Sequence, residues 1–189
     1  MKTFISVLED HREMVNNLAS CNGEIEAAGE LLVSTLNQGG KILLCGNGGS
    51  AADCQHIAAE LVVRYEQDRA AMPALALTTD SSILTAHSND VGFESVFSRQ
   101  VEAFGQTGDC LIAISTSGKS PNIIKAAQVA RQKGLSVIAM TGGNGGQLLP
   151  HASIAIVVPS SVTARIQEAH ILIGHWWCGW VEGHCSKSS

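Results

Sequence analysis

Four polar side chains in two separate stretches have the types and the spacing for proton-transfer or metal chemistry. In Gln55-His56-Ile57-Ala58-Ala59-Glu60, His56 and Glu60 stand at i and i+4 and share one helix face. In Arg165-Ile166-Gln167-Glu168-Ala169-His170 and the turns that follow, Gln167 and His175 are eight residues apart. At ~100° per residue that spacing is about 80° around a helix axis, so these two share a face as well. Two imidazoles, a carboxylate and an amide oxygen could hold Zn²⁺ or a similar divalent ion. Glu60 and His175 could equally act as general base and general acid. A histidine on a helix is more often a surface or satisfied core group, and spacing alone leaves the three readings open.

Two loops could hold a phosphate. The first, Gly46-Asn47-Gly48-Gly49-Ser50, runs from a strand into a helix. Its glycines allow close backbone approach, and the helix start offers unpaired N–H groups. A tight turn with Ser50 as N-cap would read the same way. A dinucleotide fingerprint is excluded, because GxGxxG requires glycine at position 51, which is alanine, and no acidic residue ends the next strand. The second loop, Ser115-Thr116-Ser117-Gly118-Lys119-Ser120, also opens a helix. Its density of hydroxyls exceeds what one cap requires and suits a phosphate monoester bound by neutral donors and main-chain N–H groups. A nucleoside-triphosphate loop would need glycine at position 113, which is alanine.

The elements that must position these residues follow from the hydrophobic pattern. Short apolar runs at 41–45, 74–78, 110–115, 136–141 and 153–158 lack polar alternation, as strands covered on both faces do. Helical stretches lie between and after them, at 50–66, 92–104, 120–133 and 162–182. This rhythm predicts an α/β fold with a doubly wound sheet of five parallel strands, whose ligands sit at the strands' carboxyl ends. Residues 1–39 read as a helical pair, with Leu8, Met14, Val15 and Leu18 on one stripe and Ile25, Leu31, Leu32 and Leu36 on the other. With 189 residues and no linker or repeat, the chain is expected to be one domain, 40–189 forming the α/β core.

Composition narrows the function. Twelve basic against 17 acidic residues leave a net charge of −5, which argues against coating nucleic acid or an anionic membrane. No apolar run reaches the ~18 residues of a spanning helix. The N-terminus shows no secretory signal, so a cytoplasmic location is expected. Six cysteines without a CxxC pair are expected to be reduced and buried.

The segments GNGGSAADCQHIAAELVVRY, LTAHSNDVGFESVFSRQ, AISTSGKSPNII and ARIQEAHILIGH together closely resemble phosphoheptose isomerases of the sugar isomerase (SIS) domain superfamily. The similarity runs from about Gly39 to His175, and the N-terminal helical pair fits it with less specific sequence. The resemblance implies a five-stranded parallel sheet flanked by helices, and a homotetramer with active sites between subunits. It implies the conversion of sedoheptulose 7-phosphate to D-glycero-D-manno-heptose 7-phosphate, which begins synthesis of the nucleotide-activated heptoses of lipopolysaccharide core and other surface glycans. By motif, Asn47, Gly48, Gly49 and Ser50 would lie at the substrate, Asn89 and Asp90 would contact the sugar, and Ser115, Thr116, Ser117 and Ser120 would hold the phosphate. Glu60 would be the general base and His175 the general acid, the two meeting across a boundary between protomers. His56, Glu60, Gln167 and His175 match a zinc-ligand set found in part of the family, with one Zn²⁺ per subunit, and Gln167 would also reach the substrate.

A non-enzymatic relative in the same superfamily binds a replication initiator protein and keeps both loops, but lacks acid–base residues at the positions of Glu60 and His175. Their presence here favours the isomerase. A SIS-type sugar-phosphate sensor or etherase would be expected in a longer chain or beside a DNA-binding module. Lys119 and Pro121 depart from the asparagine and alanine frequent in the family. The tail from His175 onward is unusual. Gly174, Gly179 and Gly183 should each weaken a helix by roughly 1 kcal/mol relative to alanine, and Trp176, Trp177 and Trp180 are expected to compensate at a subunit interface. His184 and Cys185 are expected to lie in a frayed end.

Overall fold

The computed structural model describes residues 2–185. Two helices open the chain, α1 (Phe4–Leu18) and α2 (Asn22–Asn37), joined by a single 3₁₀ turn. Thr3 caps α1, accepting from the Ser6 N–H at 3.2 Å. Then come β1 (Ile42–Gly46), α3 (Gly49–Val62), β2 (Ala74–Ala76), α4 (Ser81–Asp90), α5 (Val96–Phe104), β3 (Cys110–Ile114), α6 (Pro121–Gln132), β4 (Ser136–Gly142), β5 (Ile154–Val158) and α7 (Thr163–His184).

The five strands pair in parallel in the order β2-β1-β3-β4-β5. Chain order reverses between β1 and β3, so a crevice opens where these two adjacent strands end. In register, Gly46 is the partner of Ile114, and both candidate loops therefore leave the sheet side by side. Successive side chains point to opposite faces. Ile42, Leu44, Cys110, Ile112, Ile114, Ile138 and Met140 pack under α2, α3 and α7. Leu43, Cys45, Leu111, Ala113, Val137 and Ala139 pack under α5 and α6. Because both faces are covered, no strand shows polar alternation.

Several elements differ from expectation for local reasons. β2 stops at Ala76 because Thr79 bonds back to the Ala76 carbonyl and Thr78 turns its hydroxyl to the Ala51 carbonyl. α4 lies where no helix was expected: Asp80 caps it, accepting from the Ile83 N–H at 2.9 Å, but none of its residues is buried, so it has no apolar stripe to read. α5 begins at Val96 because Phe93–Ser95 forms a 3₁₀ turn. α3 ends at Val62, and Arg69 satisfies the carbonyls of Glu60 and Leu61.

The N-terminal stripe is only partly inward, since Met14 and Leu18 are buried while Val15 is exposed. Trp177 is not an interface residue: it is 1% exposed and donates its indole N–H to the Ile25 carbonyl at 3.0 Å, so it fills this chain's own core. Trp176 and Trp180 stack on each other against Gly29. The three glycines do not stop α7, which continues to His184, whose ring stacks on Trp180. The remainder of the tail, 186–189, lies outside the described residues. All six cysteines are free, five of them buried.

Candidate active site

The first loop enters α3 through Gly48, at φ 57°, in the left-handed region that favours glycine. Next to it Gly49 makes room for another element. A Cβ there would stand 2.5 Å from Gln167 Nε2, so the Gln167 amide on α7 lies directly over the helix start. Ser50 is buried within the first turn of α3 and is not the N-cap; that position is Gly48. Asn47 exchanges two hydrogen bonds of 2.9 Å with Asn122 in the first turn of α6. This amide pair fastens the loop after β1 to the loop after β3.

In the second loop Ser120 occupies the N-cap position of α6 but makes no capping bond; its Oγ is 3.0 Å from Ser115 Oγ. Pro121 at the first helical position needs no partner for a backbone N–H. The serines therefore do not serve as caps. Thr116, Ser117 and Lys119 line a polar hollow with Gly143, Asn144 and Thr163. The open end of α7 thus reaches the hydroxyl loop, and Gln167, one turn on, reaches Gly49.

Farther along α7, His175 meets α3. Gly174 permits the approach, since a Cβ there would come within 2.6 Å of Ile57 Cδ1. His175 Nε2 lies 2.8 Å from His56 Nε2, with the rings edge to face, and His56 Nε2 lies 3.6 Å from Glu60 Oε1. The spacing within each helix and the contact between helices bring the imidazoles and the carboxylate to one point. That point lies within one chain. The expectation that Glu60 and His175 meet across a protomer boundary is corrected: α3 and α7 of the same subunit pack together and carry both.

The donors suit a zinc ion in type and convergence, with two imidazole nitrogens facing each other beside a carboxylate. As they stand they form a hydrogen-bonded pair, since nitrogens bound to one tetrahedral ion at about 2.0–2.1 Å would lie farther apart than 2.8 Å. Among the described residues no group of three or more His, Cys, Asp or Glu side chains is already spaced as a metal cage. Holding an ion therefore needs a small separation of the two rings, which the exposed His56 ring permits.

Asn89 and Asp90 are placed elsewhere. They end α4, face outward, and bond to each other at 2.8 Å. Three residues of the neighbourhood escaped the sequence reading. Asp53, one turn before His56 on α3, has a buried Oδ2 without a partner, and burial raises its pKa while His56 lowers it. Its i, i+3 relation to His56 was a readable signal. Asn122 and Tyr65, which stacks on His175 at 5.7 Å between ring centroids, had none. A hollow of about 390 Å³ lies beside the 67–73 loop, where Arg69 and Glu182 are spent on each other and on backbone groups. No helix among the described residues is long and apolar enough to cross a membrane.

The SIS domain family matches residues 8–142. The phosphoheptose isomerase of Rhodospirillum rubrum is 52% identical over 165 residues, covering 87% of this chain and 88% of its own. That of Helicobacter hepaticus is 47% identical over 189 residues, covering 100% and 96%. Among solved structures, the phosphoheptose isomerase of Neisseria gonorrhoeae superposes with a TM-score of 0.90 at 42% identity, over 95% of this chain and 96% of that one. A phosphoheptose isomerase from Francisella tularensis gives 0.91 at 39%, over 94% and 95%. With a sheet, loops and helices laid out as in those structures and about half of the residues shared with the curated relatives, the chain belongs to the phosphoheptose isomerases of the SIS-domain family.

Proposed function

We propose that the protein converts D-sedoheptulose 7-phosphate to D-glycero-D-manno-heptose 7-phosphate, the first step toward activated heptoses for lipopolysaccharide core or other surface glycans. The observation that carries this reading is the convergence of Glu60, His56 and His175 on the helix that also runs to the hydroxyl loop. From Ile166 at that loop to His175 is nine residues, roughly 13 Å of helix axis. This is of the order of an extended sugar phosphate.

Ser115, Thr116, Ser117 and Ser120 hold the phosphate, while Asn47, Gly48, Gly49, Ser50 and Gln167 line the sugar. Glu60 takes the proton from C1 of the ketose and delivers it to C2 of the enediol. His175 moves the oxygen-bound proton, giving one to O2 as O1 loses its own, so the sugar's charge is unchanged overall. Zn²⁺ held by His56, Glu60 and His175 would supply Lewis acidity at the sugar oxygens. Gln167 of the same chain lies over Gly49, two turns of α7 before His175, and serves the sugar rather than the ion.

The active form is a homotetramer with its substrate sites completed between subunits. Support comes from α4, whose Asn89 and Asp90 are exposed beside exposed Val91 and Phe93 and bond to each other. Six free cysteines suit a reducing cytoplasm. The test is turnover of sedoheptulose 7-phosphate by the parent and by Glu60→Gln and His175→Asn, each variant expected to lose about 10²–10⁴-fold in kcat. Full activity in both variants would reject the acid–base roles. An inactive parent that binds a replication initiator would replace the reading.

A further inference from the structure

The segment after α3 follows Glu60 closely and belongs to no regular element. One carboxylate holds it. Glu182 on α7, its side chain 1% exposed, accepts the N–H groups of Tyr65 at 2.7 Å and of Glu66 and Gln67 at 3.0 Å, and Arg69 Nε at 3.1 Å. Burial pushes the Glu182 carboxyl up, but the three amides and the guanidinium together hold it below the ordinary range. Arg69 spends its other donors on the carbonyls of Glu60 and Leu61 at 2.8 Å and of Ala70 at 3.0 Å. The first two belong to the last turn of α3, where a helix leaves its carbonyls without internal partners.

The pair therefore joins the end of the helix carrying His56 and Glu60 to a point on α7 seven residues, two turns, beyond His175. Tyr65, whose own N–H is one of the donors, lies stacked on the His175 ring at an interplanar angle of 20°. His175 is thus gripped between two rings, His56 at its edge and Tyr65 on its face. A buried ion pair is a weak source of net stability compared with apolar residues of the same volume. What it supplies is direction, through donors and acceptors that fit only one placement of the loop.

We propose that Glu182, Arg69 and Tyr65 are positioning residues for the isomerisation, the buried pair locking the end of α3 to α7 and so seating Tyr65 on His175, which keeps the imidazole turned toward His56 and Glu60. This inference rests on the proposed roles of Glu60 and His175. It extends the site to a loop and a helix end outside the candidate substrate loops.

The test uses the full chain, labelled with ¹³C at histidine Cε1, in the parent and in Tyr65→Phe, Tyr65→Leu and Glu182→Gln. The His175 resonance is assigned by its loss in His175→Asn. A misplaced imidazole should cost tenfold to about a hundredfold in kcat with KM little changed. Tyr65→Leu and Glu182→Gln are expected to show this loss and to move the His175 resonance. Tyr65→Phe, which keeps the ring, should restore both to parental values. If Glu182→Gln does not fold, the loop variant Tyr65→Leu decides. Parental kcat and an unmoved His175 resonance in folded Tyr65→Leu would overturn the inference while leaving the isomerase reading intact. A parent without turnover overturns that reading and the inference with it.

Discussion

His170 makes the fold sensitive to mild acid, and the size of the effect can be worked out. The residue sits on the inner face of α7 with 0% of its surface exposed. Its Nε2 donates to the Thr141 carbonyl at 3.3 Å, while Nδ1 is buried without a partner. Protonating Nδ1 would place a charged donor where nothing accepts it. Burial accordingly lowers the pKa from 6.5 to about 4, against a smaller opposite pull from the Thr141 carbonyl. The folded state thus binds fewer protons than the unfolded chain between those values. Stability is fully present above pH 6.5 and is lost as pH falls toward 4. At about 1.4 kcal/mol per pH unit, the loss from pH 7 to pH 5 is about 2 kcal/mol, with a ceiling of about 3 kcal/mol near pH 4.

The assay is urea unfolding followed by tryptophan fluorescence at one fixed protein concentration, at pH 7 and pH 5, for the parent and His170→Gln. Glutamine keeps a donor for the Thr141 carbonyl and does not titrate. The parent midpoint should fall by about 1 M urea more than that of the variant, for a slope of 1–3 kcal/mol per M. Glu182 and Glu168 are also held below the ordinary carboxylate range, so the stability they carry is lost only below pH 4.5, in both chains alike. Equal pH dependence in parent and variant would refute the reasoning, since it would mean that the buried ring accepts a proton at no cost.

Two further predictions concern the glycines that let α7 approach α3. Gly49→Ala puts a methyl 2.5 Å from Gln167 Nε2, the movable end of a side chain, so the melting temperature should hold within a few degrees. If Gln167 belongs to the site, kcat/KM should fall about tenfold to a hundredfold, and an unchanged value would remove it. Gly174→Ala gains about 1 kcal/mol of helix propensity but drives a methyl to 2.6 Å from Ile57 Cδ1, at an overpacking cost of about 1–3 kcal/mol. Denaturation should show net destabilisation, and Ile57→Val in the same chain should relieve it.

The fold was legible because its strands are covered on both faces and so read as continuous apolar runs. The loops were legible for a related reason: glycines and hydroxyl residues crowd together where β1 hands over to α3 and β3 to α6. His56 with Glu60, and Gln167 with His175, were legible as pairs because helical periodicity acts locally. Nothing local stated that the two pairs meet. That depends on Gly174, which alone looked like a weakness in a helix and is in fact the opening through which Ile57 enters. α4 was illegible because a helix with no buried residue leaves no stripe, although Asp80 marked its start.

The same distinction explains why the supporting residues were missed while the candidate catalytic ones were not. A general base or a phosphate loop is recognised by residue type, which survives in one dimension. Glu182 carried no such mark, being one acidic residue near a terminus, separated by 117 residues from the Tyr65 amide it accepts. Its significance lies in what surrounds it: three N–H groups from consecutive residues and a guanidinium aimed at one carboxylate. Such an arrangement follows from where α3 stops, and α3 stops where Arg69 meets its last carbonyls. The helix end, the loop and the ring on His175 are therefore consequences of one buried pair, which only the folded chain brings together.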